Sequence, residues 1–411
     1  MIPLAGACAP ANACHETWFD GRREAIAYWA FAVYAAAFLI VGRGQDAVWA
    51  AWAVPAYGAA AVMASRVGRS SSVALMTASF AVGVPLLILL AQNQLASGMV
   101  VIERSASLVL KHGTPYLGAP HLSSWIAYNP YLPAMALFGL PSAAGVQGAL
   151  GTPQVWLVLG TVAVVGAAFI VGMPHPVTKC ESCRRELVRY TAFAVACPVL
   201  AVNLAVTTTD TPVIALMLLS LALSARPGRV VPSAVALGLA CAMKPTAWLA
   251  VLVIGTMLRT RDGMKSALTF VGTALAVAVA VMLPAIIANP AAMVENAVLF
   301  PLGLTKHLTP ADSLTPGDLL ATAGPVGHAV AVTLLLAAGL GVAASLVWRP
   351  PTSTRAAAWR LAIGLALMFA LGPAERFGYF IYPLGIAGWL LLTRETSVRA
   401  RGRQIATPAS G

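Results

Sequence analysis

Charge is scarce in this 411-residue chain. Asp, Glu, Lys and Arg make up 10% of it and only 14 residues are acidic, whereas a water-soluble domain carries about 25% charged residues. The shortage excludes an ordinary soluble globule. With 59% hydrophobic residues and a mean hydropathy of +0.81, the chain is neither disordered nor a basic nucleic-acid-binding domain. Phosphate-cradling P-loops, G-x-G-x-x-G turns, H-E-x-x-H metal pairs and G-x-S-x-G nucleophile elbows are all missing, so nothing supports nucleotide-driven chemistry in the cytoplasm. No unit of 20–50 residues recurs. The first 23 residues lack the basic stretch and long apolar core of a cleaved secretory signal.

What the sequence has in abundance is long apolar runs. A spanning helix needs about 20 apolar residues, and such runs occupy 24–42, 46–65, 71–94, 154–173, 187–205, 266–288, 326–348 and 356–372, with a shorter one at 376–393. Between 211 and 259 the pattern breaks. Apolar pieces at 211–225, 231–243 and 246–258 are separated by Arg226-Pro-Gly-Arg229 and by Lys244-Pro245. Proline disrupts a helix interior and charge at membrane depth is costly, so these read as three short or broken segments. The expected architecture is an all-α polytopic membrane protein with about 12 crossings. A cytoplasmic segment (1–23) precedes one membrane domain (24–393), and a basic cytoplasmic tail (394–411) follows it.

Charge sets the orientation. With a cytoplasmic N-terminus, the inner segments hold twenty of the 26 Lys and Arg residues and the outer segments hold six. Acidic residues divide evenly, so the inner face carries +13 and the outer face −1. The whole net charge of +12 falls on one side, as the positive-inside rule expects. Reading 231–258 as a single span would put Arg259-Thr-Arg-Asp-Gly-Met-Lys265 outside and spoil that pattern.

Two outer loops are long, 95–153 and 289–325, and long connections in a compact domain are often functional. The first begins with a loosely amphipathic stretch, 100–112, which Gly113-Thr-Pro115 should end. Tyr116, His121, Trp125 and the run Tyr128-Asn-Pro-Tyr131-Leu-Pro133 follow, a set that an interfacial aromatic belt would also supply. The outer polar residues are few: Glu103, Asp210, Lys244, Glu295, Lys306, His307, Asp312, Asp318, Glu375 and Arg376. Each has a plain alternative. Asp210 suits the N-cap of 211–225. Lys244 suits a side chain snorkelling to the interface. His307 suits a solvated loop, and Glu103 with Arg104 suits a surface pair. Their shared face is the stronger signal. Lys and Arg bind phosphate as point charge and as fork, a carboxylate serves as general base for a hydroxyl, and a leaving phosphate needs preorganised cations. The constellation suits sugar transfer from a lipid phosphate.

A family resemblance sharpens this. The stretch from Glu103 to Tyr116, ending His-Gly-Thr-Pro-Tyr116 and followed by Tyr128-Asn-Pro-Tyr131, resembles the first outer loop of polyprenyl-phosphate-dependent membrane glycosyltransferases of the C superfamily (GT-C). Thr209-Asp210-Thr-Pro212, then Gly238-Leu-Ala-Cys-Ala-Met-Lys244-Pro245, is similar to their D-x-P … G-L-A-x-x-x-K-P region. Glycosyltransferase family 87, actinobacterial and α-mannosyltransferase-like, is the nearest pattern, over about 95–260. The resemblance implies Glu103 as the catalytic base, where the family more often has Asp. It implies Lys244, His307 and Arg376 around the donor phosphate, and Arg104, His112, Tyr116, Tyr128, Tyr131 and Asp210 in the substrate loops. It also implies a polyprenyl-phosphate donor with mannose as the expected sugar, a lipid or glycan acceptor on the outer face, and inversion at the anomeric carbon.

No cofactor, metal or nucleic-acid partner is expected; membrane lipids are. Cys197 and Cys241 lie in apolar runs and read as packing residues. Cys8, Cys14, Cys180 and Cys183 share the predicted cytoplasmic face, where a structural zinc site is the weaker alternative to reduced thiols. Two other classes stand beside the enzyme. Broken helices with buried charge also mark secondary transporters, but no second copy of the Lys-Pro break occurs. A non-catalytic protein that binds lipid-linked sugars would keep the same loops.

Overall fold

The computed structural model describes residues 21–94, 96–172, 181–206, 209–307, 315–373 and 376–405, with backbone alone for 182, 183 and 394–405. Every regular element among the described residues is helical. Seven helices are long and apolar enough to cross a membrane: α1 (Gly21–Val41), α2 (Gln45–Val67), α3 (Ser71–Ala91), α6 (Pro153–Gly172), α12 (Met264–Ala288), α14 (Pro325–Trp348) and α15 (Thr354–Leu371). This is a multi-pass membrane protein. An eighth crossing is available if the pair Arg184–Ala196 and Pro198–Val206, bent by 70°, is one broken span. The expected dozen is not reached by full-length helices. The remaining apolar pieces stop short: α9 (Thr211–Ser224), α10 (Val230–Cys241) and Phe377–Thr393, with α11 (Trp248–Asp262) beside them. Pro and Lys punctuation shortens them, since proline removes a helical hydrogen bond and lysine brings charge to depth.

The chain divides into two compact units. The first comprises 1–89, 169–205 and 391–411. Here α1 and α2 pack closely together, each burying alanines such as Ala32, Ala35, Ala53 and Ala61. Small residues let membrane helices approach where apolar burial gives no driving force between them. Buried charge adds a second tie: Arg189, on α7 (Glu181–Ala196), meets Glu24 of α1 at 2.7 Å and Glu186 at 2.9 Å, and Glu186 also takes Arg69 at 2.8 Å.

The second unit comprises 90–168 and 206–390. The first long loop folds into α4 (Ser97–His112), a run of single 3-10 turns and α5 (Pro133–Ala143). Gly113 ends α4 in the left-handed region at φ 72°, its N–H returning to the Val109 carbonyl, as the sequence signal required. Next along the chain, α9 and α10 pack on one another, and α10 and α11 pack on α12. Between α10 and α11 the chain unwinds. Lys244 is extended at φ −149°, ψ 144°, and Pro245 opens a single 3-10 turn before α11; a residue before proline avoids the helical region. The carbonyls exposed by this break are taken by the first long loop, with Leu132 N–H donating to Met243 O and Ala134 N–H to Ala242 O, both at 3.0 Å. Non-helical backbone survives at depth only when satisfied in this way. Along α14, Leu340 and Val347 remain exposed, as a lipid-facing surface would.

Candidate functional site

The break at Lys244 opens onto a cavity of about 350 Å³ within the second unit. The start of α4, the aromatic loop around 125–131, the turn at 209–210, the Lys244-Pro245 break and the 376–379 turn all contribute to its wall. Among the described residues three charged ones line it, Asp210, Lys244 and Arg376, together carrying +1. Trp125, Tyr128, Tyr131, Phe300, Phe369 and Tyr379 supply its rings. A concave site of this size with a few convergent polar groups among aromatic walls is the usual form of a small-ligand pocket.

Lys244 is buried, 8% exposed, so it does not snorkel. Its ammonium donates to Asp210 Oδ1 at 2.6 Å and lies 5.5 Å from the Tyr131 ring centre and 5.2 Å from that of Tyr379, within cation–π range. Asp210 does not cap α9: it sits at the N-cap position, but its side chain makes no capping bond. It accepts instead from Lys244 and, at 2.7 Å, from the Tyr382 hydroxyl. The carboxylate's partners lie 34 and 172 residues away along the chain, so tertiary pairing overrides the local role.

The aromatic loop is held by amides that the sequence reading passed over. Asn129 is 3% exposed and Asn296 is fully buried. Asn296 Oδ1 accepts the Asn129 N–H at 2.9 Å, while Asn129 Nδ2 donates to Ser105 Oγ and to Pro115 O, and its Oδ1 accepts the Tyr131 N–H. Tyr116 donates its hydroxyl to Tyr131 O at 2.9 Å, and Tyr128 stacks on Phe300 with ring centres 4.4 Å apart. Hydrogen bonds and ring stacking tie these tyrosines into one wall. Gly98 leaves the space they need: a Cβ there would stand 2.8 Å from Tyr131 Oη and 3.3 Å from Thr209 Cγ2.

Of the residues singled out from sequence, Tyr128, Tyr131, Asp210, Lys244 and Arg376 line the cavity together. Tyr116 supports them from behind. Arg104 pairs not with Glu103 but with the loop carbonyls of Ile126 and Ala127, at 2.9 Å each; it is a loop clamp. His307 packs edge-on against Tyr128, ring centres 6.4 Å apart, and is not part of the cavity wall. His112 is exposed in the last turn of α4. Glu103 does not line the cavity either. Ser97, Gly98 and Val101 are the α4 residues that do, and at 3.6 residues per turn Glu103 falls on the opposite side of the helix. Burial raises its carboxyl above the usual range, and among the described residues it has no ionic partner. Cys8, Cys14 and Cys180, and the side chain of Cys183, lie outside the described residues. Among the described residues no three metal-ligating side chains cluster. Tyr382, Tyr379, Asn129 and Asn296 are the site residues that sequence reasoning missed. Tyr382 and Tyr379 sit in the final apolar run, where Arg376 was the only flag.

No protein-family model matches the sequence, and no curated protein matches it. Two solved structures are similar, both of ArnT from Cupriavidus metallidurans. The apo form has a TM-score of 0.45 and 16% identity over 79% of this chain. The form bound to undecaprenyl phosphate has 0.43 and 15% over 78%. In each case the match spans 63% of the ArnT chain, under two thirds of its length. At that distance the likeness transfers no activity, and the chemistry has to come from the cavity's own residues.

Proposed function

We propose that this protein is a membrane glycosyltransferase of GT-C type that moves a sugar, mannose first among the candidates, from a polyprenyl-phosphate donor to a hydroxyl of a lipid or glycan acceptor, with inversion. The single observation that carries it is Lys244: a buried ammonium at a helix break, opening with Arg376 onto a cavity walled by aromatic rings. A polyprenyl-phosphate sugar has three parts, and the cavity has a counterpart for two of them. Lys244 and Arg376 offer positive charge to the phosphate, which gains charge as it leaves. Tyr131, Tyr379 and Trp125 offer flat apolar faces of the kind on which a sugar's C–H surface packs. The lipid tail would remain in the bilayer. The positive-inside bias of the sequence supports a Lys244 side on the outer face of the cell membrane, with both termini cytoplasmic, and a donor of this kind presents its phosphate at headgroup depth.

The test is sugar transfer by the purified protein in lipid, supplied with labelled polyprenyl-phosphate mannose and cell-envelope lipid as acceptor. Arabinose and glucose donors run in parallel. Transfer of label to the acceptor fraction, lost in a folded Lys244→Ala variant, supports the class and the site. Absence of transfer with every donor removes the enzyme reading and leaves transport or binding of lipid-linked sugars.

A further inference from the structure

We infer that Asp210 is the carboxylate that takes the proton from the acceptor hydroxyl, with Tyr382 as its positioning residue, an assignment that presupposes the sugar transfer proposed above. The two oxygens of this carboxylate are not equivalent. Both of its side-chain hydrogen bonds, from Lys244 Nζ at 2.6 Å and Tyr382 Oη at 2.7 Å, fall on Oδ1. Among the described residues Oδ2 receives none, yet it is not sealed off. The side chain keeps 6% exposure and Asp210 lines the cavity. One oxygen is therefore pinned from two sides while the other faces the space a substrate would fill. A base needs this preorganisation: fixed direction, a free lone pair and a proton donor within reach.

Charge around the group agrees with the role. Among the described residues Asp210 is the only acidic one on the cavity wall. Among the described residues, the titratable and charged groups facing it or the cavity are Lys244 from the break before α11, Tyr382 and Tyr379 from the last helical segment, Arg376 just before them, and Tyr128 and Tyr131 from the aromatic loop. In the reaction, the acceptor's O–H proton passes to Oδ2 as its oxygen bonds to the anomeric carbon of the sugar. The bond from that carbon to the phosphate oxygen breaks, and its electron pair leaves on the polyprenyl phosphate, facing Arg376 and Lys244. The proton then returns from Oδ2 to water. Glu103, on the far side of α4, has no such access to the cavity.

Three measurements on the full-length protein in lipid test this: turnover, binding of polyprenyl phosphate, and the pH dependence of kcat/KM. Asp210→Asn should cut turnover by about 10²-fold or more while binding polyprenyl phosphate at least as well as wild type, because Lys244 is released from its carboxylate. Loss of binding along with turnover would mean that Asp210 only orients Lys244, and would overturn the assignment. Full turnover in Asp210→Asn, or turnover lost instead in Glu103→Gln, would also overturn it while leaving the transferase standing. No transfer by wild type with any donor would end both. Should Asp210→Asn fail to fold, Tyr382→Phe decides. A hydroxyl donating to the ionised carboxylate favours that form, so its removal should move the acid limb of kcat/KM upward by about one pH unit. An unmoved acid limb would refute the role.

Discussion

Lys244 Nζ stands 2.6 Å from Asp210 Oδ1, with the two side chains 10% and 6% exposed. A buried ion pair of this kind costs much of what it gains, because both charges leave water. Breaking it from one side is worse than removing it whole. Lys244→Met should therefore destabilise the protein by about 3–5 kcal/mol, and Lys244→Met with Asp210→Asn should recover most of that loss. Neither variant should bind polyprenyl phosphate at wild-type strength. Thermal unfolding of the two variants, read beside lipid-phosphate binding, checks both halves.

Arg376 is the second cation of the cavity. A guanidinium grips phosphate through a two-pronged fork and an ammonium does not. Arg376→Lys should thus weaken polyprenyl-phosphate binding by about tenfold, about 1.4 kcal/mol, and Arg376→Ala by more. Equal affinity in all three proteins would take Arg376 out of the phosphate site.

Gly98 tests the shape of the site without touching its charge. Alanine is the better helix former by about 1 kcal/mol, so Gly98→Ala on its own should favour α4. Its Cβ would nonetheless press on Tyr131 Oη, 2.8 Å away, and on Thr209 Cγ2. Turnover should fall by tenfold or more while the melting temperature stays level or rises. An active Gly98→Ala would show that Tyr131 is free to move and is no fixed wall.

Much of the scaffold was legible because its signals are local. Apolar run length gave the long helices, Gly113 gave the end of α4, and Lys244-Pro245 gave the break, all within a few residues of the structural boundaries. The site was legible only where chemistry and local signal coincided. Asp210 at a helix start is the same residue type in the same place whether it caps the helix or pairs with a lysine 34 residues on, and only tertiary structure decides. Tyr382 gave no signal, since one tyrosine in an apolar run near a proline reads as packing. Asn129 and Asn296 are 167 residues apart. Glu103 shows the limit of periodicity: it says which residues share a face of α4, not which face meets the cavity.

The Glu103 carboxyl carries a pH signature of its own. Half-buried on α4 and raised by desolvation, it favours the folded state when protonated, and that contribution fades as pH climbs through the raised value. At neutral pH the ionised form is a cost, discounted because solvent still reaches it. Glu103→Gln should then match wild type in stability near pH 4 and exceed it by less than about 1 kcal/mol at pH 7–8. A variant less stable than wild type at neutral pH would mean that the carboxylate has a favourable partner after all.

Arg189 and Glu24 supply the last prediction, in the unit that lacks the cavity. Their side chains are 5% and 1% exposed, with Nη1 and Oε2 2.7 Å apart. Glu24 Oε1 is buried with no hydrogen bond, so the arginine is what makes this carboxylate tolerable. Arg189 also holds Glu186, which in turn takes Arg69. Arg189→Met removes the hub and leaves two carboxylates facing Arg69 alone. It should destabilise by about 3–5 kcal/mol, whereas Glu24→Gln, which keeps size and polarity, should cost less. A purely structural hub makes a sharp demand on function: at temperatures where the Arg189→Met protein remains folded, it should bind polyprenyl phosphate as wild type does. Weaker binding by folded protein would show that this charge cluster and the cavity are energetically coupled.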